Sequence, residues 1–465
     1  MATRPLIILH GWNDSGESFD RLAEHLSRKL PSAEVQLVSI GDYLSKSDDL
    51  RFDDLQAALE RAWTKRGLPR DAGSADVIVH STGGLVIRDW LQRHFKADMS
   101  PIKHLVMLAP ANFGSPLAHV GRSILGRVAN GFFSRQEGQA VFDTGAMLLQ
   151  GLELASPFSW ELAMRDRFSD DTGMFAVGRT LCTVLVGNTG YNGIRSVANE
   201  VGGDGTVRIS TANLNCAYVH IDFSEQEREG QRRTVPTLAA RHHSSGRTAF
   251  RVMNRIDHSA IKLNVSAGNF SQAQKEVLEL IVRALTVEDA EFEAFCHECE
   301  QANAALTKGL GNSRGKPGYQ NTLVRVRDQF AMPVTDYMIE FYDPRGGRRD
   351  GGRLARAIHE EAIQGVHCYQ ADSSFRSLYI DTWKLLTEVA RADTQLGFSI
   401  TASPMLGEDE SMVVGFNTFA DEDIEDLCLD EEQLAEFFQP HRTLLVDIEL
   451  QRTQVPIVFE LRDPK

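Results

Sequence analysis

Short apolar segments alternate with amphipathic helical segments from residue 5 to about residue 285. Phe19, Leu22, Leu26 and Leu30 recur at helical spacing and predict one of these helices. Continuous apolar runs rich in β-branched residues are typical of strands buried on both faces of a parallel sheet. The alternation therefore predicts a doubly wound α/β domain. Six runs are candidate strands: 5 to 10, 35 to 40, 76 to 80, 104 to 109, 183 to 187 and 217 to 222.

The pattern changes after the amphipathic segment 271 to 286. Residues 288 to 318 are acidic and then glycine-rich, and we interpret them as a linker that follows an α/β domain of residues 1 to 287. In residues 319 to 465, apolar and polar side chains alternate, which predicts a mostly antiparallel β domain, expected to be a sandwich. The candidate strands are 321 to 327, 334 to 341, 375 to 381, 396 to 402, 411 to 416, 443 to 450 and 455 to 461.

The charge balance excludes some partners. The formal net charge of the 465 residues is -15, and the basic run "GRRDGGRLARA" around Arg348 is interpreted as a solvated loop and helix start, so we expect no nucleic-acid partner. No segment approaches the roughly 20 apolar residues of a membrane span. The apolar run before His10 is too short for a signal peptide. We therefore expect a cytoplasmic protein, or one exported by a route that needs no signal peptide.

The cysteines do not indicate a metal site. Six cysteines spread over the chain do not form a disulfide framework, and we expect reduced, mostly buried thiols. Cys296 and Cys299 in "CHEC" have the spacing of metal ligands, but no second pair completes a four-ligand site. We interpret them as neighbours one turn apart on an acidic helix. Glycine-rich phosphate loops are also absent from the sequence, so nucleotide chemistry has no support. We therefore expect neither a metal nor a cofactor.

Ser81 lies where a candidate strand meets two glycines and a helical segment, in "DVIVHSTGGLVIRDW". A tight strand-to-helix turn exposes a nucleophile and points the following N–H groups at an oxyanion. Val79 occupies a position where such turns usually carry glycine, so either another small neighbour relieves the crowding or the turn is wider. The alternative is that Ser81 is an ordinary polar turn residue.

A second candidate element is "LIILHGWND", residues 6 to 14, a strand that ends in His-Gly. Gly11 allows the backbone to pass close to a substrate. The N–H groups of Trp12 and Thr82 are therefore candidate arms of an oxyanion hole.

Five motifs follow one another along residues 5 to 285: "LHGW", "HSTGG", "LAPANFGSPLA", "GDGTV" and "DHSAI". Together they resemble the α/β-hydrolase superfamily, and within it the serine lipases and esterases related to lecithin-cholesterol acyltransferase and bacterial triacylglycerol lipases. The resemblance implies a mostly parallel sheet, with Ser81 as the nucleophile, Asp204 as the triad acid and His258 as the base, and it requires no cofactor. The resemblance covers roughly residues 5 to 285 and does not extend to the C-terminal third.

Other titratable residues have alternative interpretations. Asp222, at the end of a candidate strand, is the alternative triad acid, whereas Asp257 is interpreted as a turn or cap residue because it adjoins His258. His242 and His243 are interpreted as surface or substrate-rim residues. His80 is expected to pack and to hydrogen-bond, because side chains alternate direction along a strand.

Residues 116 to 178 form an insertion rich in apolar side chains, including Leu117, Val120 and Ile124. In the resembling lipases this position supplies a lid over the nucleophile, which predicts an apolar acyl pocket; alternatively, these helices only bury one another. We therefore expect a serine hydrolase of lipid esters, a lipase or phospholipase A. Small-ester hydrolysis, acyl transfer, or an inactive interaction protein with the same fold are the alternatives. Transient membrane contact and a protein partner for the β domain are further expectations.

Overall fold

The structure is a computed structural model of the whole chain. It describes residues 4–10, 18–40, 50–118, 146–169, 173–192, 196, 199–223, 225–228, 231–234, 236–307, 318–346, 352–404, 414–416 and 427–454.

The chain divides into two compact units. The first unit contains Met1–Cys216, His243–Lys316 and His441–Thr443, and the second contains Ala217–His242, Pro317–Pro440 and Leu444–Lys465. The chain therefore leaves the first unit at residue 217 and returns to it at residue 243. This division differs from the predicted boundary, which placed all residues up to 287 in one domain.

A six-stranded sheet forms the centre of the first unit, with strand order β10-β5-β4-β3-β1-β2. Each neighbouring pair in this sheet is parallel, as predicted for runs that are apolar on both faces. Its strands are β1 (Leu6–His10), β2 (Val35–Ser39), β3 (Ala75–His80), β4 (Ile102–Leu108), β5 (Leu181–Gly187) and β10 (Ala249–Met253).

The helices of the first unit lie between and after these strands. They are α1 (Asp20–Lys29), α2 (Phe52–Lys65), α3 (Gly83–His94), α4 (Ala146–Leu152), α5 (Pro157–Asp166), α6 (Ile209–Ala212), α7 (Gln272–Thr286) and α8 (Asp289–Thr307). Short 3-10 helices occur at Ala97–Met99, Pro116–Ala118, Ala260–Lys262 and Ala267–Asn269. The strands and helices share one hydrophobic core that includes Ile8, Val77 and Val106. None of the helices in the described ranges is both long enough and apolar enough to cross a membrane.

The second unit contains a six-stranded mixed sheet, ordered β13-β14-β11-β17-β6-β9, and further strand pairs. Its strands are β6 (Ala217–Phe223), β7 (Glu225–Arg228), β8 (Gln231–Thr234), β9 (Thr237–His243), β11 (Tyr319–Asp328), β12 (Tyr337–Tyr342), β13 (Ile363–Cys368), β14 (Phe375–Asp381), β15 (Gly397–Ala402), β16 (Val414–Phe416), β17 (Thr443–Leu450) and β18 (Arg452–Gln454). Its helices are α9 (Arg353–Ala357), a π-helical turn at Ile358–Ala362, α10 (Thr382–Ala392) and α11 (Glu431–Phe437). Most of its strand pairs are antiparallel, and β17 and β6 are parallel.

Two predictions about elements are wrong. The sequence pattern places residues 217 to 222 in the parallel sheet, but β6 pairs with β17 in the second unit. The pattern also places residues 289 to 307 in a linker, but they form α8, whose Phe292, Phe295 and Cys296 are buried in the first core. The predicted strand 455 to 461 lies outside the described residues, as do residues 119 to 145 of the predicted lid.

Candidate active site

Ser81 occupies a tight turn between β3 and α3. Its backbone has a φ of 53°, in the left-handed region that non-glycine residues rarely adopt. The Ser81 N–H donates to the carbonyl oxygen of Leu108 at 3.0 Å, and the Gly84 N–H donates to the Ser81 carbonyl oxygen at 3.1 Å. These bonds hold the turn in a strained conformation of the kind that clusters at functional sites.

The two glycines after Ser81 accommodate the close packing of the turn. A Cβ atom at Gly83 would lie 3.3 Å from Cβ of Val79, so the absent side chain leaves room for the valine. A Cβ atom at Gly84 would lie 2.7 Å from Cβ of Pro110. The structure therefore favours the first explanation for Val79: Gly83 is the small neighbour that relieves the crowding around the valine side chain.

The structure brings together Ser81, His258 and Asp204. Nε2 of His258 lies 3.1 Å from Oγ of Ser81, and Nδ1 of His258 lies 2.9 Å from Oδ2 of Asp204. The Asp204 side chain has no solvent exposure, and that of His258 is 9% exposed. The imidazole ring thus connects a buried carboxylate to the serine hydroxyl, which is the arrangement needed to remove the hydroxyl proton.

Backbone hydrogen bonds hold Asp204 in place. Its Oδ1 accepts from the N–H groups of Thr206 at 3.0 Å and Val207 at 2.9 Å, which leaves Oδ2 for the histidine. The His258 N–H donates to the Asp204 carbonyl oxygen at 3.0 Å. Both partners of the carboxylate–imidazole contact are therefore fixed by their own main chain.

His80 contacts both the backbone and the ring of His258. Nε2 of His80 donates to the carbonyl oxygen of His258 at 3.1 Å, and the two rings lie 4.7 Å apart. Burial, followed by repulsion from His258 and Lys262, holds the pKa of His80 well below its usual value. His80 is therefore neutral near pH 7, and it packs and hydrogen-bonds as the sequence predicted.

The backbone at the start of α3 offers an oxyanion-binding position. Thr82 precedes the first helical residue, and no acceptor for its N–H occurs among the described residues. Such N–H groups carry the positive end of the helix dipole. Trp12, the other predicted arm of the oxyanion hole, lies outside the described residues, so that prediction stays a prediction.

Known proteins share this architecture. The solved structure of phospholipase PlaB from Legionella pneumophila matches with a TM-score of 0.78 and 21% identity, covering 99% of this chain and 96% of that chain. Its complex with thio-NAD matches with a TM-score of 0.75 and 21% identity, with the same coverage. The palmitoyl protein thioesterase family matches residues 5–127. The fold is that of the α/β-hydrolases. The resemblance predicted from the five motifs is thus confirmed at the level of the fold.

A third solved structure is much less similar to this chain. The mature form of lipase BlEst2 from Bacillus licheniformis has 14% identity and covers 62% of this chain and 93% of that chain, but its TM-score is only 0.37. No curated protein matches the sequence.

The remaining candidate residues are not part of the hydrogen-bonded series of Ser81, His258 and Asp204. Asp222 belongs to β6 of the second unit, in register with Glu449 of β17, whereas Asp204 holds the histidine. Asp257 accepts hydrogen bonds from the N–H groups of Ser259 and Ala260, which confirms it as a turn residue. His242 and His243 are exposed on β9.

A buried ion pair behind the turn was not predicted. Arg88 of α3 and Asp166 of α5 are both fully buried, and Nε and Nη2 of Arg88 donate to the Asp166 carboxylate at 2.7 and 2.9 Å. Nη1 of Arg88 also donates to the carbonyl oxygen of Asn112 at 3.1 Å. The pair joins α3 to the insertion after β4. The adjacent charged residues Arg88 and Asp89 within the apolar segment "GGLVIRDWL" were its signal in the sequence.

The described residues include no group of three or more side chains that could hold a metal ion. Burial raises the pKa of the Cys296 thiol to about 12 and that of Cys299 to about 11. Both thiols are therefore protonated near pH 7.

Proposed function

We propose that the chain is a serine carboxylester hydrolase that acts on lipid esters. The observation that carries this proposal is the hydrogen-bonded series from Ser81 through His258 to Asp204 at the carboxyl end of β3. In open α/β sheets, substrates bind beyond the carboxyl ends of the strands.

The geometry suits a two-step reaction. His258 takes the proton of Ser81, whose Oγ attacks the ester carbonyl, while Asp204 stabilises the imidazolium that forms. The Thr82 N–H stabilises the oxyanion, and Trp12 is proposed as its second donor. His258 then protonates the leaving alcohol, and a water molecule that His258 activates releases the fatty acid from the acyl enzyme.

The similarity to known proteins supports a lipid substrate. PlaB, which matches over nearly the whole of both chains, is named a phospholipase. We therefore propose phospholipase A or lipase activity, and transient contact with the aggregate that presents the lipid. A lid in residues 116 to 178 and a cytoplasmic location stay predictions. In the described part of that insertion, Leu148 and Leu162 pack in the first core.

A long-chain acyl thioester is a second candidate substrate. The match of the palmitoyl protein thioesterase family to residues 5–127 favours it, and this region contains Ser81. The same three side chains perform both reactions, because a thiolate leaves a tetrahedral intermediate as an alkoxide does.

The test is to incubate the purified full chain with phospholipids, triacylglycerol and palmitoyl-coenzyme A, and to measure released fatty acid and any acylated acceptor by mass spectrometry. We expect Ser81→Ala to lower kcat by at least about a thousandfold, because the nucleophile is lost. Ser373→Ala, in the second unit, is the matched control and should keep full activity.

A fluorophosphonate probe separates the alternatives. We expect it to label the wild-type chain at Ser81 and to leave Ser81→Ala unlabelled. A folded wild-type chain that is neither labelled nor active would contradict the proposal and favour the interaction protein. Labelling with transfer of the acyl group to an acceptor other than water would replace hydrolysis by acyl transfer.

A further inference from the structure

The acid loop, residues 203 to 207, is held in place through Thr206. The Thr206 N–H donates to Oδ1 of Asp204 at 3.0 Å. The Thr206 carbonyl oxygen accepts from the hydroxyl of Ser115 at 2.6 Å. Oγ1 of Thr206 lies 2.8 Å from Oη of Tyr191, within hydrogen-bond distance. Each polar group of Thr206 therefore has a partner, and the position of the Asp204 carboxylate depends on where Thr206 is held.

Tyr191 lies in the segment that follows β5, at the carboxyl end of the parallel sheet. Just before it, the Thr189 N–H donates to the carbonyl oxygen of Ile256 at 3.1 Å. Asn199 binds the backbone of Tyr191 itself: its Oδ1 accepts from the Tyr191 N–H and its Nδ2 donates to the Tyr191 carbonyl oxygen, both at 2.7 Å. The backbone that carries the phenol is therefore fixed by hydrogen bonds on both sides.

The ring of Tyr191 packs against Gly205 of the acid loop and is almost completely buried, since the residue is 5% exposed. Gly205 has a φ of 96°, and a Cβ atom at this position would lie 2.7 Å from Cδ2 of Tyr191. Glycine therefore permits both the backbone conformation and the close approach of the ring. The ring lies against one residue of the loop while its hydroxyl reaches the next one, Thr206.

The phenol of Tyr191 is uncharged near pH 7. Burial is the largest effect and, with the nearby charge of Asp204, raises the pKa of Tyr191 to about 12, although interactions with Thr206 and Ser259 oppose the rise. Ser259 directly follows His258 in the chain, so the phenol lies near the segments that carry the acid and the base. An uncharged group can be buried there without placing a second negative charge beside the carboxylate.

We propose that Tyr191 is a positioning residue of the candidate active site: its hydroxyl holds Thr206, and Thr206 holds the Asp204 carboxylate toward His258. The contacts run from Oη of Tyr191 to Oγ1 of Thr206, from the Thr206 N–H to Oδ1 of Asp204, and from Oδ2 of Asp204 to Nδ1 of His258. A displacement of about 1 Å among reacting groups can lower a rate about a hundredfold. This role rests on the proposed function, because it serves that reaction.

The first test removes a single oxygen atom. Tyr191→Phe keeps the ring against Gly205 but loses the hydroxyl beside Thr206. We expect kcat for a soluble ester to fall by about tenfold to a hundredfold, because the acid is displaced, and KM to stay within about twofold of wild type. The measurement is steady-state kinetics, with melting temperatures to verify folding. An unchanged kcat in a folded Tyr191→Phe chain would overturn the proposal.

Tyr218→Phe is the matched control. Tyr218 belongs to the second unit, is also buried, and donates its hydroxyl to the carboxylate of Asp447 at 3.2 Å. The control therefore removes the same atom from a comparable setting, and we expect its kcat to stay within about twofold of wild type. A loss of kcat as large as that of Tyr191→Phe would mean that any buried hydroxyl has this effect, which would contradict the assigned role.

A second substitution tests whether Tyr191 acts through Thr206. Thr206→Val removes the side-chain hydroxyl but keeps the backbone N–H that donates to Asp204. We expect the double variant Tyr191→Phe with Thr206→Val to lose no more kcat than Tyr191→Phe alone, because both changes break the same contact. Losses that multiply would show that the two side chains act independently, and the proposed route to Asp204 would be wrong.

Proton NMR gives a readout that needs no turnover. The proton between Nδ1 of His258 and Oδ2 of Asp204 should give a downfield resonance, which Asp204→Asn identifies by its loss. We expect Tyr191→Phe to shift or broaden this resonance and Tyr218→Phe to leave it unchanged. An unchanged resonance in Tyr191→Phe would overturn the positioning role even if hydrolysis occurs. A shifted resonance in a chain without Ser81-dependent hydrolysis would support that role and contradict the proposed function.

Discussion

At the scale of single residues, the surroundings of two aspartates decide which of them can serve as the acid. Asp204 is fully buried, and its carboxylate accepts hydrogen bonds from two backbone N–H groups. The same carboxylate contacts Nδ1 of His258. Asp222 belongs to a strand of the other unit. A carboxylate held in this way favours the His258 tautomer that has its free nitrogen lone pair on the side of Ser81.

Asp204→Asn tests this assignment. We expect kcat for ester hydrolysis to fall by about a thousandfold to ten-thousandfold, because an amide can donate to Nδ1 and favour the wrong tautomer. Asp222→Asn is the matched control, and its kcat should stay within about twofold of wild type by the same reasoning. The measurement is steady-state kinetics on a soluble ester, with melting temperatures to verify folding. A smaller effect at position 204 than at 222 would reverse the assignment.

The sequence reveals some of these residues better than others. Ser81 and His258 lie in short motifs whose order along the chain resembles a known superfamily, so they could be predicted. The bond from His80 to the His258 carbonyl oxygen joins residues that are 178 positions apart in the chain. Such contacts between distant residues leave no local pattern in a single sequence.

At the scale of elements, the spacing of apolar residues predicts that a segment forms a strand better than it predicts which strand it pairs with. Five of the six apolar runs form strands of the parallel sheet, because burial on both faces gives each one a local signature. The run at 217 has the same signature but pairs with β17, more than 200 residues away. The sixth strand of the parallel sheet, β10, was not predicted, since "AFRVM" carries an arginine in its centre.

In the sequence of helix α8, acidic residues obscure the helical spacing of the apolar residues on its buried face. Phe292, Phe295, Cys296 and Cys299 recur at helical spacing and are buried, but acidic residues between them suggest a solvated linker. Asn303 of the same helix donates to the carbonyl oxygen of Phe250 at 2.8 Å and accepts from the Val252 N–H at 2.8 Å. Both bonds satisfy backbone groups at the edge strand β10, which explains why the helix packs there.

The ion pair between α3 and α5 leads to a prediction about these elements. Arg88→Met leaves Asp166 buried without a counter-charge, and breaking such a pair destabilises by about 3 to 5 kcal/mol. We expect the melting temperature of the first unit to fall by roughly 10 °C. The measurement is tryptophan fluorescence on heating, since Trp63, Trp90 and Trp160 are buried in that unit.

The double variant Arg88→Met with Asp166→Leu is the control for that experiment. It removes both charges, so we expect it to recover most of the lost melting temperature. Equal melting temperatures for the single variant and wild type would show that the pair does not hold α3 to α5.

At the scale of the whole molecule, the chain crosses between its two units several times. Residues 217 to 242 lie in the second unit, and residues 441 to 443 return to the first. Strand β6, which follows the first crossing, pairs with β17, which follows the last one, in the mixed sheet. The second unit is therefore incomplete without a segment from the middle of the chain. A truncated chain that begins at residue 317 would lack β6 and β9 of its main sheet.

The acid stability of the folded chain depends on a histidine that is buried without a positive charge. Burial holds the pKa of His80 well below its usual value near 6.5, so the unfolded chain binds a proton there at a higher pH than the folded chain does. Stability from this residue is therefore complete above about pH 6.5 and falls as the pH drops below it. The loss grows as the pH falls further below 6.5, for as long as the imidazole of the folded chain stays unprotonated.

His80→Gln tests this origin of the acid sensitivity, because it keeps a donor for the His258 carbonyl oxygen but has no proton to gain. We expect urea denaturation, followed by tryptophan fluorescence, to show a smaller loss of unfolding free energy for this variant as the pH falls below 6.5. His297→Gln, at a side chain that is 63% exposed, should lose as much as wild type. A His80→Gln chain as acid-sensitive as wild type would place the acid-labile group elsewhere in the molecule.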